Sequence, residues 1–291
     1  MIPFTNQLKY KPEITSRPNS YVSFYLDSCQ HEKISIRFYK DYVNAVNFAL
    51  AMSMALEENG YKTTHRFESY SPPRENCASR LYNDGCGYFE DLYEELIRAQ
   101  YQVCITGWMI TPYFLLKRPS KITDKTYRLD SVLEELAERG VKIFIIAFQE
   151  PSLFVNNDSE HVETYLMSLH RNITVLRHPN DVIPSVWSHH EKMVIIDQKI
   201  GFMGGLDICY GRWDTPQHML VDPGDVWDGC DYNNYRTSDI YQPRNYEESN
   251  LNPHFQVRMP WHDIAIQYRG DIVLDLLRHF VQYWYYVKWD E

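Results

Sequence analysis

Apolar positions in this chain change their period several times, and each change marks an element. Residues 1–33 are polar and without rhythm, and Ile34-Ser35-Ile36-Arg37-Phe38 then alternates as a short strand would. Tyr42, Val43, Val46 and Leu50 fall at helical spacing among the helix formers Ala45, Ala49 and Ala51, which predicts a helix ending near Asn59-Gly60. Ser71-Pro72-Pro73-Arg74-Glu75-Asn76 breaks the pattern and reads as a linker. Beyond it, helices are predicted over 88–100, 129–139 and 159–169. The first carries Phe89, Leu92, Leu96 and Ile97 on one face, Gly140 closes the second, and Ser159 or Asp158 caps the third. Strands are predicted over 102–106, 141–148, 173–177, 191–196 and 200–203, the last two paired. The run Val141-Lys142-Ile143-Phe144-Ile145-Ile146-Ala147-Phe148 is apolar enough to be buried on both faces.

Alternating helices and strands predict an α/β sandwich around a mixed, largely parallel sheet. Residues 214–256, rich in Asp, Asn, Pro, Gly and Tyr, interrupt the rhythm, and a long irregular segment of this kind suits a rim or lid. A last helix is predicted over 270–289, with Ile272, Leu276, Phe280 and Trp284 in one row. Its aromatic end, from Tyr283 to Trp289, suits a core or domain interface better than a lipid anchor.

The 291 residues suffice for one large domain or two smaller ones, and 44% hydrophobic with 23% charged residues is a globular composition. A net charge of −10 argues against a nonspecific nucleic-acid binder, so no nucleic-acid partner is expected. Six cysteines without a C-x-x-C pair, and no apolar leader or membrane-length apolar run, point to reduced thiols in the cytoplasm and at most peripheral membrane contact.

The densest chemistry lies in His190, Lys192, Asp197, Gly204 and Gly205, spaced H-x-K-x4-D-x6-G-G. By average residue usage, so specific a pattern arises by chance in a chain of this length with a probability on the order of 10⁻⁴. On a strand His190 and Lys192 share a face, setting a nucleophile or base beside a cation, as chemistry on a phosphate requires. Asp197 lies at odd spacing from both and is expected to hold the site together from behind. Gly204 and Gly205 are expected to admit the neighbouring strand closely. A carboxylate is expected on the far ring nitrogen of His190, with Asp214 preferred to Asp207. His189 faces away and reads as structural, and His262 reads as a histidine packed in a loop rather than a headgroup contact. No metal and no cofactor are expected: no His/Cys cluster has ligand spacing, and Lys192 would repel a cation.

This pattern resembles the HKD motif of the phospholipase D superfamily. Further blocks are similar to eukaryotic phospholipases D in the same order over about residues 65–291: Arg66 to Asn76, Ile105-Thr106-Gly107-Trp108, Leu115 to Pro119, Arg177-His178-Pro179, Gly204 to Asp214 and Arg258 to Ile264. The resemblance is to the type with phox-homology and pleckstrin-homology domains. It implies a C-terminal remnant of a pleckstrin-homology-like domain over 1–60, a linker and entry segment over 61–87, and a first catalytic half over 88–291. A plain N-terminal helix packed on the catalytic domain is the alternative for the remnant.

The resemblance further implies hydrolysis of phosphatidylcholine to phosphatidic acid and choline through a phosphohistidine intermediate. His190 would be the nucleophile, or the general acid if another half supplies the nucleophile. The implied partners are a phospholipid membrane and phosphoinositide or small-GTPase activators. Complete members carry two HKD motifs, whereas here His31-Glu32-Lys33 is followed by Phe38 in place of the Asp. The expectation is therefore an N-terminal half, inactive until a second HKD half or a second copy joins it. A homodimeric single-motif phosphodiesterase or nuclease, and an inactive lipid- or partner-binding fragment, are the alternatives.

Overall fold

The computed structural model describes residues 8–11, 19–26, 33–39, 43–44, 46–48, 50–51, 54, 69–119, 125–151, 157–178, 188–222, 226–227, 229–233, 242–249 and 251–290. The chain divides into two compact units, Met1–Pro73 and Arg74–Glu291.

In the first unit β1 (Leu8–Lys11), β2 (Asn19–Leu26) and β3 (Lys33–Tyr39) form an antiparallel sheet in chain order, and the described residues between 43 and 54 are helical. The stretch over 1–33 therefore holds two strands that its polarity concealed. Within β2, Tyr21, Val22, Phe24 and Tyr25 are β-formers, but Asn19, Ser20 and Ser23 dilute their alternation.

The second unit begins earlier than expected. β4 (Ala78–Asn83) and the first turn of α1 (Gly85–Leu96) lie inside the stretch read as linker and entry. The remaining elements are β5 (Gln102–Gly107), α2 (Leu129–Glu138), β6 (Lys142–Phe148), α3 (Ser159–Leu169), β7 (Ile173–His178), β8 (Met193–Ile196), β9 (Ile200–Gly204), β10 (Ile264–Arg269) and α4 (Ile272–Asp290). β10 escaped sequence reading because one of its inward positions is polar: Gln267 is buried with Ala265.

The seven strands are ordered β4-β10-β9-β8-β5-β6-β7. The sheet is mixed, as expected, but its pairings are not largely parallel. Only β5–β6 and β6–β7 pair parallel; the other four pairings are antiparallel. Reversal at both β8 and β10 leaves most strands pointing one way while most neighbours run opposite.

The alternation of strand side chains builds two cores. Val103, Ile105, Ile143, Ile145, Val194 and Phe202 face the side covered by α1, α2 and α3. Cys104, Ile146, Met193 and Ile195 face α4, which contributes Val273, Phe280 and Val287. Of the aromatic end of α4, Tyr283 and Trp284 pack half-buried against this core, where Trp284 meets Phe144 edge-on at 5.3 Å, while Tyr286 is exposed. Gly140 ends α2 with φ +95: its N–H donates to the Ala137 carbonyl and the Val141 N–H to that of Leu136, a Schellman closure. Part of 214–256 is core rather than rim, since Trp227, Cys230, Tyr232 and Tyr246 are buried. The Arg118–Asp231 ion pair beside them is buried as well.

Candidate active site

His190 and Lys192 stand just ahead of β8, the strand between β9 and β5. The two side chains meet: Lys192 Nζ lies 3.3 Å from His190 Nδ1 and donates to the His190 carbonyl at 3.1 Å. They differ in environment, with His190 exposed and Lys192 buried. Lys192 is held by Asp207, whose Oδ2 is 3.0 Å from Nζ, both side chains being almost wholly enclosed. The other oxygen of Asp207 accepts the N–H groups of Trp108 (2.8 Å) and Met109 (3.3 Å) at the end of β5. The Trp108 ring in turn flanks His190 at 5.6 Å. Arg212 approaches Asp207 Oδ2 at 3.9 Å and lies over the Trp261 ring at 4.0 Å.

Partial desolvation of the ring, and secondly the Lys192 charge, push the His190 imidazole below its ordinary pKa, so it is neutral at pH 7. Burial also lowers the Lys192 ammonium, against the opposing pull of Asp207. An ammonium pointing at Nδ1 makes that nitrogen the acceptor and leaves the ring proton on Nε2.

The expected carboxylate on His190 is not found there. Asp214 is fully buried elsewhere: its Oδ2 accepts from Arg258 at 3.0 Å and from the Trp261 N–H at 2.8 Å, and its Oδ1 from the Thr215 N–H. Asp207 serves Lys192. Among the described residues neither carboxylate hydrogen-bonds His190. A desolvated ammonium draws the nearest carboxylate more strongly than a neutral imidazole does, which accounts for the arrangement.

Asp197 sits at the opposite end of β8, in the turn to β9, with φ +50. Its carboxylate accepts the N–H groups of Gln100, Tyr101 and Gln102 at 2.7–2.9 Å, fixing the entry to β5. Asp197→Ala leaves three donors to water and places Ala in the left-handed region, with an expected loss of about 2–3 kcal/mol in urea unfolding. An unchanged midpoint would refute this role. Gly204 and Gly205 admit β10: a Cβ on Gly204 would lie 2.6 Å from Ala265 Cα, and one on Gly205 would lie 2.0 Å from Asp263 Oδ1.

His189 is buried, with Nδ1 2.9 Å from the Tyr283 hydroxyl and its ring stacked on His178, and burial first lowers its pKa to about 3. Trp108 and Arg212 went unassigned in sequence reading, although both stand in the blocks that carry the resemblance; no local spacing ties them to His190.

A family model described as Phospholipase D matches residues 95–288. The chain belongs to the phospholipase D family. Phospholipase D2 of Bos taurus is 36% identical over 251 residues, covering 77% of this chain and 26% of that protein. Phospholipase D zeta 2 of Arabidopsis thaliana is 37% identical over 244 residues, covering 80% and 23%. The chain thus spans about a quarter of the length of these two relatives. Among solved structures, a phospholipase D family member, Nuc from Salmonella typhimurium, is similar with a TM-score of 0.41 and 11% identity, covering 72% of this chain and 95% of that one. The family match spans most of the α/β unit and includes the His190–Lys192 pair. No helix among the described residues is long and apolar enough to cross a membrane.

Proposed function

We propose that this chain supplies the first half of a phospholipase D active site, cleaving phosphatidylcholine to phosphatidic acid and choline when a second half completes it. The observation that carries the reading is a neutral, exposed His190 beside a buried Lys192 anchored by Asp207. A lipid phosphate entering here draws the Lys192 N–H groups onto its nonbridging oxygens. Nδ1 is then released, and the ring proton shifts to it from Nε2. The Nε2 lone pair attacks phosphorus, the P–O bond to choline breaks, and an acid from the other half protonates the departing oxygen. Water then attacks the phosphohistidine, its proton passing to the conjugate base left on the other half; the P–N bond breaks, phosphatidic acid leaves and the imidazole is restored.

Nδ1 needs an acceptor during the attack. Since Asp207 and Asp214 are engaged elsewhere, the completing half supplies it. The three antiparallel strands and following helical residues of Met1–Pro73 support reading that unit as the end of a pleckstrin-homology-like domain, with lipid reached from the membrane surface under phosphoinositide or small-GTPase control.

Choline release from phosphatidylcholine vesicles tests the proposal. The chain alone should be nearly silent, and adding a second HKD half should restore turnover. Failure of the complemented sample with its fold intact refutes the reading. Turnover by the chain alone as a dimer replaces it with a homodimeric phosphodiesterase.

A further inference from the structure

We propose that Asp84, His218 and His262 form a divalent-cation site of the zinc type, separate from the His190–Lys192 pair. The three come from distant places: the β4–α1 junction, the segment after the glycine pair, and the approach to β10. Backbone bonds hold these pieces together. The Asp84 N–H donates to the Asp263 carbonyl and the Cys86 N–H to the Asp214 carbonyl, each at 2.8 Å. One ligand atom from each of the three residues can be chosen so that all lie within 4.8 Å of one another. Bonds of about 2.0 Å to a tetrahedral zinc would need these atoms roughly 3.3 Å apart, so only small side-chain rotations are required.

The unmet demand at Asp84 points to a cation. This carboxylate is 0% exposed. Its Oδ1 lies 2.7 Å from His262 Nδ1 and 3.3 Å from the Asp263 N–H. Its Oδ2 is buried without a hydrogen-bond partner, and the His218 Nε2 atom lies 3.5 Å from it. Among the described residues, the side chains within ion-pair distance of Asp84 are these two histidines, whereas neighbouring Asp214 has Arg258. A buried carboxylate so placed takes its balancing charge from a protonated imidazole or a metal.

The histidines favour the metal. The two rings meet edge to face at 5.1 Å, and a nitrogen of each lies within 4.8 Å of the other and of an Asp84 oxygen. His218 Nδ1 faces Asp214 Oδ2 at 3.6 Å, while its Nε2 points into the cluster. At 3.6 Å this is not yet a hydrogen bond; a small ring rotation would make it the carboxylate–histidine pair that ordinarily orients a ligating histidine. When His262 ligates through Nδ1 its ring proton sits on Nε2, so both imidazoles ligate as neutral rings. With His262 exposed, a fourth position is left open to water.

The test is zinc binding to the untagged chain, read by competition with a chromophoric chelator and by thermal unfolding with and without Zn²⁺. The expected result is one tightly held Zn²⁺ that raises the unfolding temperature. His262→Ala and Asp84→Asn should each weaken binding by more than about 100-fold, beyond the loss of a merely orienting partner. His262 is exposed, so its variant should keep the wild-type near-ultraviolet circular dichroism and decides the matter if Asp84→Asn misfolds. Absence of stoichiometric binding, or equal binding by folded His262→Ala, overturns the proposal and leaves a proton as the balancing charge.

Discussion

His190→Ala in the complemented enzyme is expected to lower phosphatidylcholine turnover by at least about 10³-fold, because covalent attack and its charge stabilisation are lost together. The fold should be unaffected, as the His190 side chain is exposed and its polar and ring contacts among the described residues are with Lys192 and Trp108. A pH signature accompanies this prediction. Partial desolvation and the Lys192 charge hold the imidazole below its ordinary value of 6.5, so the nucleophile is ready at neutral pH and is lost only as pH falls through that lowered value. Ring-proton NMR should place the His190 midpoint below 6.5 and move it upward in Lys192→Met. A midpoint at or above 6.5 would contradict the arrangement, and turnover surviving in His190→Ala would remove the residue from the chemistry.

Asp207→Ala is expected to destabilise the Arg74–Glu291 unit by about 3–5 kcal/mol, the usual cost of removing one member of a buried ion pair. Lys192 is then left enclosed without its carboxylate, and the Trp108 and Met109 N–H groups lose their acceptor. The ammonium, already lowered by burial, should deprotonate more readily once the opposing pull of Asp207 is gone. Urea unfolding measures the first effect, and a loss under about 1 kcal/mol would show that Lys192 finds another partner or opens to water. Asp207→Asn should fall between the two, since the amide oxygen can still accept from Trp108 while the charge is absent.

Much of the α/β unit was legible in the sequence because its strongest signals are local. α3 matches its expected span, and α1, α2, β5, β6 and β7 fall within a few residues of theirs, since apolar periodicity is written directly along the chain. The edge strand β4 was illegible: most of it is exposed, with Leu81 outward and only Tyr82 buried. β10 hid behind an inward Gln267. The parallel bias of the sheet was misjudged among pairings because strand order cannot be read from the period of each strand. β8, which the motif residues flank at both ends, lies between β5 and β9 and runs opposite to both.

The sequence by itself determined the alternation of elements, the HKD pattern with its glycine pair, and through them the family. Only the tertiary structure decided which partner each functional side chain meets. Asp207 went to Lys192, Asp214 to Arg258 and Trp261, and Asp197 to the three N–H groups at the entry to β5. It also gathered Asp84, His218 and His262, which no ligand spacing in the chain announces. The reason is physical. Periodicity records which face of an element is apolar, a property of neighbouring residues. The pairing of a buried charge depends on what the sheet order brings within about 3 Å, and burial then makes that pairing costly to break.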